Sequence, residues 1–269
     1  MTKKTRDEIL NMKPGEFWKL VRKGDWTGPT HDVCRGYAAT DIFILPKQFA
    51  YDFLVFCHRN PLVCPVVDIT DIGSPHPPFL APEADLCTDL PKYRVYKNGQ
   101  IADEPTDISK YWQDDLVAIL LGEASSFHWL YEASGVSYRS LGTFSTNIPC
   151  NSYGPFFGNI AVSCKVFKSS QDASKAAQIS ARHPVFHGSP LHIGDPAAIG
   201  IKDLSQPDLI KRSDNAVPKS PEPGEIAMYW PCFGTLRKVA ENARLPLTIV
   251  DYPLHNFVTE KLSEQLAVL

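Results

Sequence analysis

From Phe186 to Ile201 the chain reads Phe-His-Gly-Ser-Pro-Leu-His-Ile-Gly-Asp-Pro-Ala-Ala-Ile-Gly-Ile, which is too irregular for one helix or strand. Glycine opens backbone conformations closed to other residues and proline fixes φ, so this run predicts an ordered loop that presents His187, His192 and Asp195. A histidine beside a carboxylate can move protons near neutral pH. The spacing His-x4-His-x2-Asp also has the look of a metal triad. Such ligands usually sit on a rigid helix or strand, however, and no glutamate or further histidine lies nearby to complete the set, so no metal and no cofactor are expected.

Two further clusters carry chemistry. Pro231-Cys-Phe-Gly-Thr235 separates an apolar run from a helical pattern, which predicts a turn whose free N–H groups could hold a carboxylate, with Thr235 as the cap. Cys232 in that turn is a candidate catalytic thiol or a buried one. Downstream, Tyr252-Pro-Leu-His255 brings a further histidine, which is a candidate catalyst or a satisfied structural residue. The seven cysteines include no C-x-x-C pair and are odd in number, which argues for buried thiols and against a disulfide scaffold.

Apolar spacing and turn residues place the elements that must hold these groups. Helices are predicted at 13–23, 48–59, 111–121, 126–133, 170–181 and 235–243, and strands at 41–45, 66–70, 93–96, 160–167, 226–230 and 247–250. Asn98-Gly99 marks a hairpin. Residues 212–224, rich in Pro, Ser, Asp and Lys, read as a flexible surface connection. The order strand, helix, strand over the last fifty residues predicts a parallel pair with a ligand crevice beyond the strand ends. The expected fold class is α/β: a mixed or parallel sheet domain with helices on both faces, formed by 1–145 and 220–269, plus a smaller inserted α+β domain at 146–219.

With 269 residues, 43% hydrophobic content and 21% charge, the chain can bury a real core. A net charge of −3 with scattered lysines and arginines gives nucleic acid no phosphate-tracking stripe. The first residues lack the apolar core of a secretory signal, and no apolar run reaches the length of a membrane span, so a cytoplasmic protein is expected. The expected partner is a small-molecule substrate; a homodimer is compatible with the sequence.

Several segments together resemble the D-glutamate cyclase family, whose bacterial members are provisionally labelled hydro-lyases. They are Trp26-Thr-Gly-Pro29, Gly36-Tyr37, Ile44-Leu-Pro46, residues 50–61 with Cys64-Pro65, Asp85 to Tyr96, Glu104 to Ile108, Thr146-Asn-Ile-Pro-Cys150 and His187 to Ile201. The resemblance runs from about Phe17 to Thr259. It implies an α/β protein with a second, smaller α/β domain and, from the activity that names the family, dehydration of D-glutamate to 5-oxo-D-proline.

In that reaction an amine loses a proton and attacks the distal carboxyl carbon, an oxyanion forms, and a hydroxyl leaves as water. A base, an acid and donors for two carboxylates are needed. The resemblance implies His187 or His192 as proton shuttle and Asp195 as its orienting group or the holder of the substrate ammonium. Cys232 and His255 complete the candidate catalytic set; Tyr37, Asp41, His128, Asn147, Cys150, Phe233 and Thr235 are the candidate binding residues. The chain also departs from the family pattern. Where the family shows Gln and Asn this chain has Ala39 and Asp41, and the Cys-Ser-Phe-Ser-Phe-Glu that follows Gly122 in the family is here Glu123-Ala-Ser-Ser-Phe-His128. Phe233 stands in place of glycine. These changes predict a larger, less polar pocket and a substrate other than D-glutamate. The alternatives are an isomerase, racemase or metal-assisted hydrolase using Cys232 or His187 with His192, or a non-catalytic small-ligand binder.

Overall fold

The computed structural model describes residues 6–31, 33–209 and 220–268. In chain order it contains α1 (Arg6–Leu10), α2 (Pro14–Arg22), β1 (Tyr37–Pro46), α3 (Lys47–Arg59), β2 (Val66–Ile69), β3 (Tyr93–Lys97), β4 (Gln100–Asp103), β5 (Leu116–Gly122) and α4 (Ser125–Ala133). There follow β6 (Tyr138–Pro149), β7 (Asn159–Phe167), α5 (Ser170–Ala181), β8 (His192–Ile193), β9 (Ile226–Pro231), α6 (Gly234–Ala243), β10 (Thr248–Asp251) and β11 (Phe257–Leu262). The fold is α/β, built on two sheets.

β1 is the spine of the first sheet. Its first half pairs with β11 and its second half with β10, while β5 runs along its other edge, giving the order β2-β5-β1-β10-β3-β4. Because strand side chains alternate, Phe43 and Leu45 enter one core with Phe53 and Phe56 of α3, whereas Ile42 and Ile44 enter another with Phe17 and Trp18 of α2. Phe43 and Phe53 stack with ring centroids 4.1 Å apart. The second sheet, in the order β6-β7-β9-β8, shares the first of these cores through Phe144, Val162, Tyr229 and Leu236 of α6. A third core ties α4 and α5 to it through Phe127, Tyr131, Phe167 and Trp230.

The expected parallel pair is overturned. β9 lies in the second sheet and β10 in the first, so α6 crosses between sheets, and every strand pairing among the described residues is antiparallel. The helix expected at 111–121 is instead a short 3-10 turn at Ser109–Tyr111 followed by β5. Leu-Val-Ala-Ile-Leu-Leu is apolar on both faces because β5 is covered on both, and such a run has no period from which helix and strand can be told apart. The polar strand β6, twice interrupted in its pairing with β7, and β11 were not anticipated. The Asn-Gly hairpin joins β3 to β4, with φ of 51° at Asn98 and 76° at Gly99. Residues 212–219 of the expected connection lie outside the described residues. Among the described residues, no helix is long and apolar enough to cross a membrane.

Candidate active site

Where the two sheets meet, a cavity of about 160 Å³ opens between β1, the link from β5 to α4, strands β6 and β7, and the turn from β9 into α6. Its walls carry Asp41, Glu123, His128, Lys165, Cys232, Phe233 and Arg237. The turn is fastened to β7 twice: the Cys232 N–H donates to the Ala161 carbonyl at 3.1 Å, and the Thr235 hydroxyl accepts from the Ala161 N–H at 2.8 Å. Gly234 is packed so closely that a Cβ there would lie 3.2 Å from Thr143 and 3.3 Å from the Cys232 sulfur. The Glu123 carboxyl accepts from the Ser125 N–H, which turns it back over the start of α4.

Charge is concentrated at the floor. Asn256 donates to Asp41 Oδ1 at 2.6 Å, Arg237 donates to Asp251 at 3.0 Å, and the Ile42 N–H donates to the other Asp251 oxygen at 3.1 Å. Burial and the neighbouring Asp251 charge push the Asp41 carboxyl well above the usual carboxylate range. Burial also raises Asp251, to about 6, against the opposing pull of Arg237. Two carboxyls this close cannot both ionise cheaply, so the pair shares a proton. Asp41 Oδ2 and Arg237 Nε are buried without a partner in the protein. Arg237 therefore offers a fixed N–H to a carboxylate. Lys165, buried and 4.9 Å from the Trp230 ring, adds a second cation.

The structure gathers some of the residues singled out from sequence and separates others. Asp41, His128, Cys232 and Phe233 line the cavity. Burial pushes the Cys232 thiol up to about 12 although the Gly234 N–H points at it, so it is a thiol at neutral pH. His187, in the left-handed region at φ 72°, lies behind the wall; its Nδ1 donates to the Leu62 carbonyl at 2.8 Å. Burial holds it below the usual histidine range, against the field of Glu123. Thr235 does not cap α6. Phe233 occupies that position without a side-chain bond, and the Thr235 hydroxyl serves β7.

His192 and Asp195 line neither this cavity nor the one beside it. The His192 ring meets the Asp195 backbone carbonyl at 2.8 Å rather than its carboxylate, which instead accepts from the Ala197 N–H at 2.9 Å and caps a 3-10 turn. Among the described residues, His187, His192 and Asp195 do not gather as metal ligands. His255 has a carbonyl at each ring nitrogen, Pro253 at 2.8 Å and Thr27 at 3.2 Å, and only its neighbours Leu254 and Asn256 reach the cavity. Asn147 is exposed beside Gly200, and Cys150 is buried near Cys57 and Cys64 in the core. Tyr37 lines a second cavity, of about 500 Å³, which shares Ser125, His128 and Tyr138 with the first.

Sequence reasoning did not single out Glu123, Lys165, Arg237 and Asn256 of the cavity wall, or Asp251 behind them. A signal existed for Glu123, which begins the segment that departs from the family pattern. None existed for Lys165, which lies in a strand, or for Arg237, which lies on a helix that reads as amphipathic.

Residues 117–260 match the family model described as D-glutamate cyclase. A provisionally named hydro-lyase of Bacillus licheniformis is 42% identical over 267 residues, covering 97% of this chain and 99% of that protein. Another, YcsI of Bacillus subtilis, is 41% identical and covers 96% of this chain and all of its own length; one from Rubrobacter xylanophilus is 42% identical over 94% and 97%. With a fold-wide match of this kind and the family model spanning the cavity walls from β5 to β11, the chain belongs to the D-glutamate cyclase family.

Proposed function

We propose that this chain is a hydro-lyase that closes an amino-acid-like carboxylate into a ring with loss of one water, and that its substrate is bulkier than D-glutamate. The observation that carries this reading is the meeting, in one cavity, of a proton-holding carboxyl, Asp41, with Glu123 and two cations. Ring closure transfers two protons from the substrate ammonium to the departing oxygen while a C–N bond forms and a C–O bond breaks. Glu123 takes one proton from the ammonium and passes it to the distal carboxyl oxygen, and Asp41 gives that oxygen its second proton so that it leaves as water. Glu123 then takes the second nitrogen proton, which restores Asp41. Arg237 Nε and Lys165 hold the carboxylates and the oxyanion. Asp41, Lys165 and Arg237 are buried and Glu123 is half-buried, which strengthens these charges by excluding water.

The test is to incubate the purified protein with both enantiomers of glutamate and of carbon-substituted glutamates and to follow loss of one water by mass. Turnover that falls by about 100-fold or more in Glu123→Gln supports the assignment. No loss of water from any of these compounds removes the lyase reading.

A further inference from the structure

The two cavities differ in chemistry although they share Ser125, His128 and Tyr138. The inner one, of about 160 Å³, is set with ionisable groups and matches a single amino-acid head. The outer one, of about 500 Å³, is walled by Tyr37, Trp129, Val136 and Val258. Its two charged residues, Arg35 and Glu132, are bonded to each other at 2.6 Å and cancel. A charged ligand would find no net field in this outer chamber; an apolar group would find aromatic and aliphatic surface to cover.

We infer that the outer chamber is a binding site for an uncharged, ring- or chain-bearing substituent of the substrate, whose charged amino-acid head occupies the inner chamber and whose connecting bond passes the His128–Tyr138 ring pair. This deepens the lyase reading above and rests on it for the identity of the head. The chemistry fixes where the substituent is attached. The distal carboxyl must lose its oxygen and the ammonium belongs to the head held in the inner chamber, so the substituent is placed on the carbon chain between them. The rings of His128 and Tyr138 have centroids 6.0 Å apart and are tilted by 58°, so they form the wall common to both chambers. The family pattern has a glutamate where His128 stands. An imidazole there replaces an acid at the junction with a flat group that an apolar substituent can pass.

The probes are the enantiomers of glutamate and of 4-benzylglutamate, whose ring closure would expel one water and leave the benzyl group untouched. Affinity is read by calorimetry and turnover by mass, on the wild-type chain and on Ser137→Trp, which fills the outer chamber from an exposed position. Ser137→Ala is the size control. The wild-type chain and Ser137→Ala should bind one 4-benzylglutamate enantiomer at least about tenfold more tightly than glutamate, and Ser137→Trp should erase that preference. Equal affinity for both compounds in the wild-type chain, or a preference that survives Ser137→Trp, overturns the inference. Tight binding of the benzyl compound without water loss keeps the chamber and removes the lyase reading. Water loss from glutamate without any benzyl preference does the opposite.

Discussion

Asn256 and Asp41 are joined by a 2.6 Å hydrogen bond that satisfies Asp41 Oδ1 and leaves Oδ2 buried with no partner in the protein. The amide can only donate in that contact, so Oδ1 is the acceptor. Asp251, on the adjacent strand β10, keeps its oxygens occupied by Arg237 and by the Ile42 N–H. Asp251 thus has both oxygens bonded, and Asp41 stands against it as the second carboxyl of a buried pair.

That arrangement sets the pH dependence of stability. Both carboxyls are raised, Asp251 to about 6 and Asp41 well above the normal range, so the folded chain holds these protons more tightly than the unfolded one. Their contribution is complete below the ordinary carboxylate pKa and is lost as pH rises through about 6 and beyond. His187, held below its ordinary value, acts in the opposite sense: its contribution is present above the ordinary histidine pKa and is lost as pH falls. The unfolding temperature measured from pH 5 to pH 9 should decline on the alkaline side, and Asp41→Asn, which stays neutral, should flatten that decline. A variant that tracks the wild-type curve would show that the pair holds no proton.

Arg237 is the counter-charge of this floor, its side chain only 10% exposed and that of Asp251 fully buried. Arg237→Ala leaves a buried carboxylate uncompensated, which costs about 3 to 5 kcal/mol. Adding Asp251→Asn removes the orphaned charge and should recover much of the loss. Urea unfolding of the two single variants and the double variant checks this. Additive losses would mean that the two groups are not coupled.

Asp41 and His128 line the same cavity, and both stand where the family pattern has another group, an amide and a glutamate respectively. An amide at 41 cannot supply a proton, so Asp41→Asn alone should lower turnover by about 100-fold. In the double variant with His128→Glu a carboxyl returns to the cavity from α4. Activity should then reappear with preference shifted toward unsubstituted glutamate. Selectivity and rate that match the single variant would place the two substitutions outside substrate discrimination.

How much of this was legible in the sequence depends on the range of the signal. α2, α3 and α5 could be read because each keeps one apolar face, and the β3–β4 hairpin because Asn-Gly demands positive φ. β5 could not, because a strand buried on both sides has lost the alternation that identifies strands. The Cys232 turn was found through its glycine and its neighbours. Of the floor only Asp41 was found: its partners Asp251, Arg237 and Asn256 come from other segments, and only the antiparallel seam between β1 and β10, with α6 packed across it, brings them together. A loop rich in histidine and aspartate is the opposite case. Its composition is conspicuous, yet His192 and Asp195 are used on the loop's own backbone and His187 on the Leu62 carbonyl.

The loop's own bonds therefore define the last expectation. The His192 ring accepts no help from the Asp195 carboxylate, and both residues lie away from the two cavities. Asp195 caps the turn at Pro196–Ile199, and losing such a cap costs about 1 kcal/mol. Asp195→Ala should lower the unfolding temperature by a few degrees, and His192→Ala by less, since its ring is only half-buried against Tyr229. Turnover per folded molecule should stay within about threefold of wild type in both, because neither side chain lines either cavity, whereas removal of a proton-transfer group costs about 100- to 10,000-fold. Thermal unfolding and turnover measured on the same preparations separate the two outcomes. A collapse of turnover with an unchanged unfolding temperature would return this loop to the centre of the mechanism.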